Sequence, residues 1–344
     1  MFDLLKPVFL SFLIGPIGAF FAWILNFPLP YLLGPVILST FVALFGITFF
    51  VPNLIRQFSF ICIGLSVGSN VTPEALSHAA RWPVSLIMMI AAILIITLVC
   101  KVVLNKFFFM DKPSSLLASS PGHLSFVLML SADTNSETSK IAIIQSIRVL
   151  TLTIATPVII LLFSESAFAP DILDKPSLTF VSITGLFFLS IIVGISLQKI
   201  NFPAPFLIGA MLSSTITHGT NITPGYLPQF LEISAFIILG TIIGGRFVKI
   251  TIKQLASCLG SGLVLTFLSI SISGLAALIV HYFTEIPLSH IFIAFAPGGL
   301  ETMVAMGGLV SAEPTYIASH HVSRLFFLAF LIPILLSKDI RDNK

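Results

Sequence analysis

A proline-glycine break inside a lipid-soluble segment is the feature that most limits what this chain can become. Ala296-Pro-Gly-Gly-Leu-Glu-Thr302 interrupts an otherwise apolar run, and an arginine, Arg324, stands in the middle of the next one. The first half carries the same arrangement: Pro121-Gly122-His123-Leu124, then Arg148. Pro121 to Arg148 and Pro297 to Arg324 are both 27 positions, and Arg148 to Pro157 and Arg324 to Pro333 are both 9. Two intervals kept across an offset of 176 positions point to an internal duplication built around a pair of broken segments.

Composition fixes the solvent. Hydrophobic residues make up 56% and charged residues 9% of 344 positions, and the mean hydropathy is +1.08. A soluble chain carries about a quarter charged residues, so most of this surface faces lipid. Apolar runs of 18 residues or more recur, each long enough to cross a ~30 Å hydrocarbon core as a helix. A net charge of +3, scattered along the chain, gives no footprint for nucleic acid. Cys62, Cys100 and Cys258 lie singly in apolar runs without metal-ligand spacing, and no cofactor or metal is expected. The stretch after Lys6 lacks a small-x-small cleavage site and is read as the first spanning helix.

The apolar segments fall near 7–25, 30–50, 54–70, 83–104, 114–131, 140–163, 177–198, 205–218, 228–247, 255–282, 288–310 and 315–336. The halves align beyond the breaks. Asn26-Phe-Pro-Leu-Pro-Tyr-Leu-Leu-Gly34 matches Asn201-Phe-Pro-Ala-Pro-Phe-Leu-Ile-Gly209, and Pro52, Gly64 and Gly68 match Pro228, Gly240 and Gly244. The division expected is an N-terminal membrane repeat over 1–165 and a C-terminal one over 166–344.

Lys and Arg of short loops mark the cytoplasmic side. Lys6, Arg56, the Lys101–Lys112 and Arg246–Lys253 loops, Lys199 and the tail from Lys338 fit one side if segments 114–131 and 288–310 are re-entrant. Arg81 is the one misfit. The acidic connector Glu165–Asp174 then lies outside. Each half crosses five times, an odd number, so the second is inverted. The expectation is an all-α polytopic protein with ten spanning helices, two re-entrant or discontinuous segments, and both termini inside. Twelve full crossings with parallel halves is the competing reading.

Inverted repeats whose broken helices meet near the midplane are the architecture of secondary transporters. A break frees backbone N–H and C=O groups that lipid cannot satisfy, so it persists only when buried in protein or beside a wet cavity. Half-helix N-termini then offer partial positive charge to anions.

Pro30-Tyr-Leu-Leu-Gly-Pro35, Gly64-x-x-x-Gly68 and above all Ala296-Pro-Gly-Gly-Leu-Glu-Thr-Met303 resemble the AbrB family of integral membrane proteins over nearly the whole chain. The resemblance implies a duplicated, transporter-like unit of the bacterial inner membrane with a link to regulation of gene expression. Family members also carry the label of an ammonia monooxygenase. The same family name belongs to an unrelated small soluble DNA-binding regulator, whose basic stripe and β-hairpin domain have no counterpart here.

The residues expected to form a substrate site are Ser120, Pro121, Gly122, His123, Ser125, Arg148, Pro297, Gly298, Gly299, Glu301, Thr302, His321 and Arg324. A mid-membrane arginine carries a desolvation penalty of ~2.5–3.5 kcal/mol on insertion scales and takes a partner. Arg148 and Arg324 either fork onto an anionic solute or tie down carbonyls freed by the neighbouring break. Glu301 replaces the repeat's Ser125, which suits ion or proton coupling, or else pairs with Arg324. Ser119, Ser120, Ser125 and Thr302 supply hydroxyls either to a solute or to the break itself. Histidine titrates in a range useful for proton coupling, which His123 could serve, with a hydrogen-bond anchor as its plainer role. His320 and His321 point about 100° apart on a helix and do not chelate, which leaves a monooxygenase metal without ligands. The glycine pairs Gly64/Gly68 and Gly240/Gly244 read as close-packing faces.

Two functions fit. One is a non-enzymatic secondary transporter of a small organic anion, coupled to H⁺ or Na⁺, with one bundle moving against the other. The other is a membrane sensor linked to gene regulation. The partners expected are the lipid bilayer, the solute and its coupling ion; nucleic acid is excluded and a homo-oligomer is left open.

Overall fold

Each of the twelve apolar segments forms helix, and the two that carry Pro-Gly form two helices apiece. The computed structural model describes residues 2–69, 82–122, 124–132, 134, 136–163, 177–310 and 312–341. Arg81, the Glu165–Asp174 connector and His123 lie outside these, as does the side chain of Ser125. The described residues hold α1 (Phe2–Ile24), α2 (Pro30–Leu44), α3 (Asn53–Gly68), α4 (Trp82–Phe107), α5 (Lys112–Ser119), α6 (Leu124–Ala132) and α7 (Thr138–Phe163). They continue with α8 (Phe180–Lys199), α9 (Pro205–Gly219), α10 (Gln229–Gly244), α11 (Ile252–Thr284), α12 (Leu288–Phe295), α13 (Leu300–Leu309) and α14 (Pro314–Arg341). Among the described residues the only β feature is an isolated bridge between Ser177 and Tyr226.

Seven described helices are long and apolar enough to cross a membrane: α1, α4, α7, α8, α10 with its 3₁₀ extension, α11 and α14. Phe188, Phe267 and Phe330 stand exposed on three of them, as lipid-facing side chains do. The chain is a multi-pass membrane protein. The three other segments expected to span, α2, α3 and α9, are 15 or 16 residues, about 23 Å at 1.5 Å per residue. Turns cut α2 and α9 short. Leu29 and Ala204, the residues before α2 and α9, are held left-handed at φ 48° and 46°. Gly46 and Asn221 are also left-handed just past their ends, at φ 83° and 57°, which is the usual way a helix is stopped.

The chain divides into two compact units, each drawing on both halves. The first comprises Met1–Ala79, Thr156–Lys249 and Leu300–Ala318, hence α1–α3, α8–α10 and α13. In it, α3 packs on α9 and α10 packs on α2. Those two interfaces use equivalent residues. A Cβ on Gly64 would meet the Leu207 carbonyl oxygen, with Ala210 Cβ at 2.7 Å and Met211 N at 3.0 Å. A Cβ on Gly240 would meet Leu32 O at 2.5 Å, Pro35 Cβ at 2.9 Å and Val36 N at 3.2 Å. Only glycine admits backbone this close. Where α3 meets α10, Ser59 Oγ donates to the carbonyl of Ala235, its own equivalent 176 positions on, at 2.8 Å.

The second unit comprises Ala80–Ala155, Ile250–Gly299 and Ser319–Lys344, hence α4–α6, most of α7, α11, α12 and most of α14. Its equivalent helices α4 and α11 pack on each other, α5 lies on α4, and α12 lies on α11. Ile147 of α7 fills the notch left by Gly262 of α11. Lys101 Nζ and Asp339 Oδ1 pair at 2.5 Å and join the end of α14 to α4.

Candidate functional site

Both breaks have one cause and one shape. A residue before proline is biased away from helical geometry, and the glycine after each of these two prolines adds to the break: Ser120 and Ala296 adopt φ −64°, ψ 122° and φ −57°, ψ 124°. Each still donates its N–H to the helix behind it, Ser120 to Leu116 O at 3.1 Å and Ala296 to Phe292 O at 2.9 Å. Pro121 and Pro297 have no N–H to give, so the carbonyls four residues back, of Leu117 and Ile293, lose their helical donor. The helix ends leave further carbonyls open.

Side chains from the following long helix close these gaps. Gln145 Nε2 donates to Leu117 O at 2.9 Å, and His321 Nε2 meets Ile293 O at 3.0 Å. Arg148 Nη1 donates to Ser120 O at 3.2 Å, and Arg324 Nη1 to Ala296 O at 2.9 Å. All four pairs of equivalents are separated by 176 positions. Gln145 and Arg148 are three apart on α7, as His321 and Arg324 are on α14, which puts each pair on one helix face. Arg324 spreads its fork to a second carbonyl, Gly298 O at 2.8 Å, while Gly298 N–H turns back onto Ala296 O at 2.8 Å.

The arginines are 3% and 1% exposed. They act on each other electrostatically, and each faces the negative carbonyl end of a short helix. Buried polar atoms without a hydrogen-bond partner among the described residues here include Ser120 Oγ, His321 Nδ1 and Arg324 Nε. Such atoms carry a desolvation penalty of about 1–3 kcal/mol each when left unpaired.

The second unit therefore brings together Ser120, Pro121, Gly122, Arg148, Pro297, Gly298, Gly299, His321 and Arg324. Glu301 and Thr302 open α13 and belong to the first unit. There Glu301 acts electrostatically on Arg246, and Thr302 is buried. Ser119 Oγ bonds back to Leu116 O at 2.9 Å and so serves its own helix. His320 is buried against Phe295 and engages Ser85. No cluster of three or more metal-ligating side chains occurs among the described residues. Gln145 was missed by reading the sequence, although its place three residues before Arg148 and 176 before His321 marks it.

The comparisons agree on kinship. The chain is 24% identical over 288 residues to the uncharacterized protein YhjN of Bacillus subtilis (strain 168), covering 79% of this chain and 75% of that one. It is 22% identical over 316 residues to the AbrB protein of Escherichia coli (strain K12), covering 90% and 89%. That protein's name assigns it a provisional role as a regulator. The profile of the family described as "Transition state regulatory protein AbrB" matches residues 31–338. With the match running through both breaks and both arginines, the chain belongs to the AbrB family.

Proposed function

We propose that this protein is a secondary transporter of a small organic anion in the bacterial inner membrane, driven by an H⁺ or Na⁺ gradient. Its halves are inverted repeats, both termini are cytoplasmic, and no bonds of the solute are made or broken. One observation carries the reading: a broken helix with its stranded carbonyls capped by a buried arginine occurs twice in one unit of a membrane protein. A single break is explicable as a packing irregularity. Its repetition, with backbone angles and two capping contacts reproduced, supports a working site. The anion is favoured because two guanidinium groups stand within electrostatic range of each other there, and a site so charged favours a carboxylate.

The test is uptake of radiolabelled succinate and citrate into proteoliposomes. Wild type takes up solute; Arg324→Ala abolishes uptake and Glu301→Gln lowers it. Saturable binding without flux, indifferent to ion gradients, would sink the transport reading. It would favour a membrane sensor linked to regulation, the Escherichia coli relative being named a regulator.

A further inference from the structure

Gln145 and His321 hold equivalent positions and serve equivalent carbonyls, one with an amide and the other with an imidazole. A carbonyl can only accept, so the His321 proton sits on Nε2. In the neutral ring Nδ1 is then a lone pair, and it is fully buried with no partner among the described residues. Capping the break does not require this, since Gln145 caps its own with no titratable group. What the ring adds is the capacity to take a second proton at Nδ1 while Nε2–H stays on Ile293 O.

The charges around the ring oppose that proton until an anion arrives. Arg324 and His320, on the same helix, act on His321. From α7, Arg148 acts on Arg324. Helix α12 offers the Ile293 carbonyl, and α4 offers Ser85 to His320. The ionised side chains in this set are cations. An anion arriving among them and a proton arriving at Nδ1 therefore stabilise one another.

We propose that His321 is the proton-coupling residue, taking up one proton at Nδ1 with each carboxylate solute bound and releasing it with that solute on the other side. The proposal rests on the transport reading above and names its coupling ion. The proton comes from water on the side of entry and no other bond changes.

The experiment uses the full chain in proteoliposomes, with the membrane potential clamped at zero and protein-free liposomes subtracted. Succinate and citrate are the probes. One proton per solute sets an equilibrium accumulation of about tenfold per pH unit, inside alkaline. Wild type reaches about tenfold, and a protonophore removes it. His321→Gln, which restores the group found at position 145, accumulates nothing, and whatever counterflow it retains no longer responds to the pH gradient. His321→Asn, with a shorter amide, is read in the same way should the glutamine variant fail to insert. Tenfold accumulation by either variant overturns the assignment. So does wild-type counterflow that never accumulates solute, and both results leave transport itself standing. If neither probe exchanges in wild type, the transport reading fails and the coupling role goes with it.

Discussion

Alanine at Gly64 or Gly240 is the sharpest test of the packing in the first unit. A Cβ on Gly64 would stand 2.7 Å from Ala210 Cβ and against the Leu207 carbonyl; on Gly240 it would stand 2.5 Å from Leu32 O. Carbon atoms rest at about 3.5–4.0 Å, so each helix pair must part by roughly 1 Å. A gap of that size forfeits up to half of the local dispersion energy. Backbone cannot swing aside as a side chain does, so the overpacking penalty belongs near the top of its usual range, about 3 kcal/mol. Alanine's better helix propensity offsets about 1 kcal/mol. The net loss is then about 2 kcal/mol for either variant, and about 4 for both, because the two contacts lie on different interfaces. Gly185, in α8, has no atom within 4 Å of a built Cβ, so Gly185→Ala keeps the propensity gain alone. Cys62, Cys100 and Cys258 are free and buried, so a thiol-reactive dye reports thermal unfolding in detergent. The midpoints should fall for G64A and G240A, fall further for the pair, and hold or rise for G185A. Midpoints for G64A and G240A at or above wild type would refute the close-packing argument.

Two further changes probe the second unit. Arg148→Ala and Arg324→Ala each strip carbonyl caps from a break and should cost about 2–4 kcal/mol; lysine at either site recovers part of it, and thermal midpoints in detergent measure both. Lys101→Met leaves the buried Asp339 carboxylate without its cation, whereas Lys101→Met with Asp339→Asn removes both charges. The single change should destabilise by up to ~3–5 kcal/mol and the double change by less; a double variant that melts lower than the single one would show that the pair matters for something other than charge.

Much of this was legible before any coordinates. Proline followed by glycine is a strong helix breaker, so Pro121-Gly122 and Pro297-Gly298 located both breaks, and both are found there. Pro35, Pro157 and Pro333, with no glycine after them, lie inside helices. Spacing marked the glycines that let α3 meet α9 and α10 meet α2. The lengths of α2 and α9 were less visible, because Leu29 and Ala204 are not residues that announce a left-handed turn. The role of the arginines was readable only as two alternatives: charge says that a partner exists, and only geometry shows that carbonyls of Ser120, Ala296 and Gly298 fill it. Gln145 went unnoticed because an amide in an apolar helix carries no charge to draw the eye. The assignment of Glu301 to a different compact unit from Arg324 depends on where the chain folds back, which residue types do not encode.

The crossed pairing of α3 with α9 and of α2 with α10 has a consequence for how the protein is made. When Gly68 has been added, the helix that will seat against it begins 137 residues downstream, at Pro205. At roughly 5–20 residues per second, the ribosome needs about 7–30 s to deliver it. During that wait the notch of α3 lies open in the bilayer, filled by lipid or shielded by the insertion machinery. Neither half can finish itself, and a chain arrested midway exposes the very grooves by which it would stick to its neighbours.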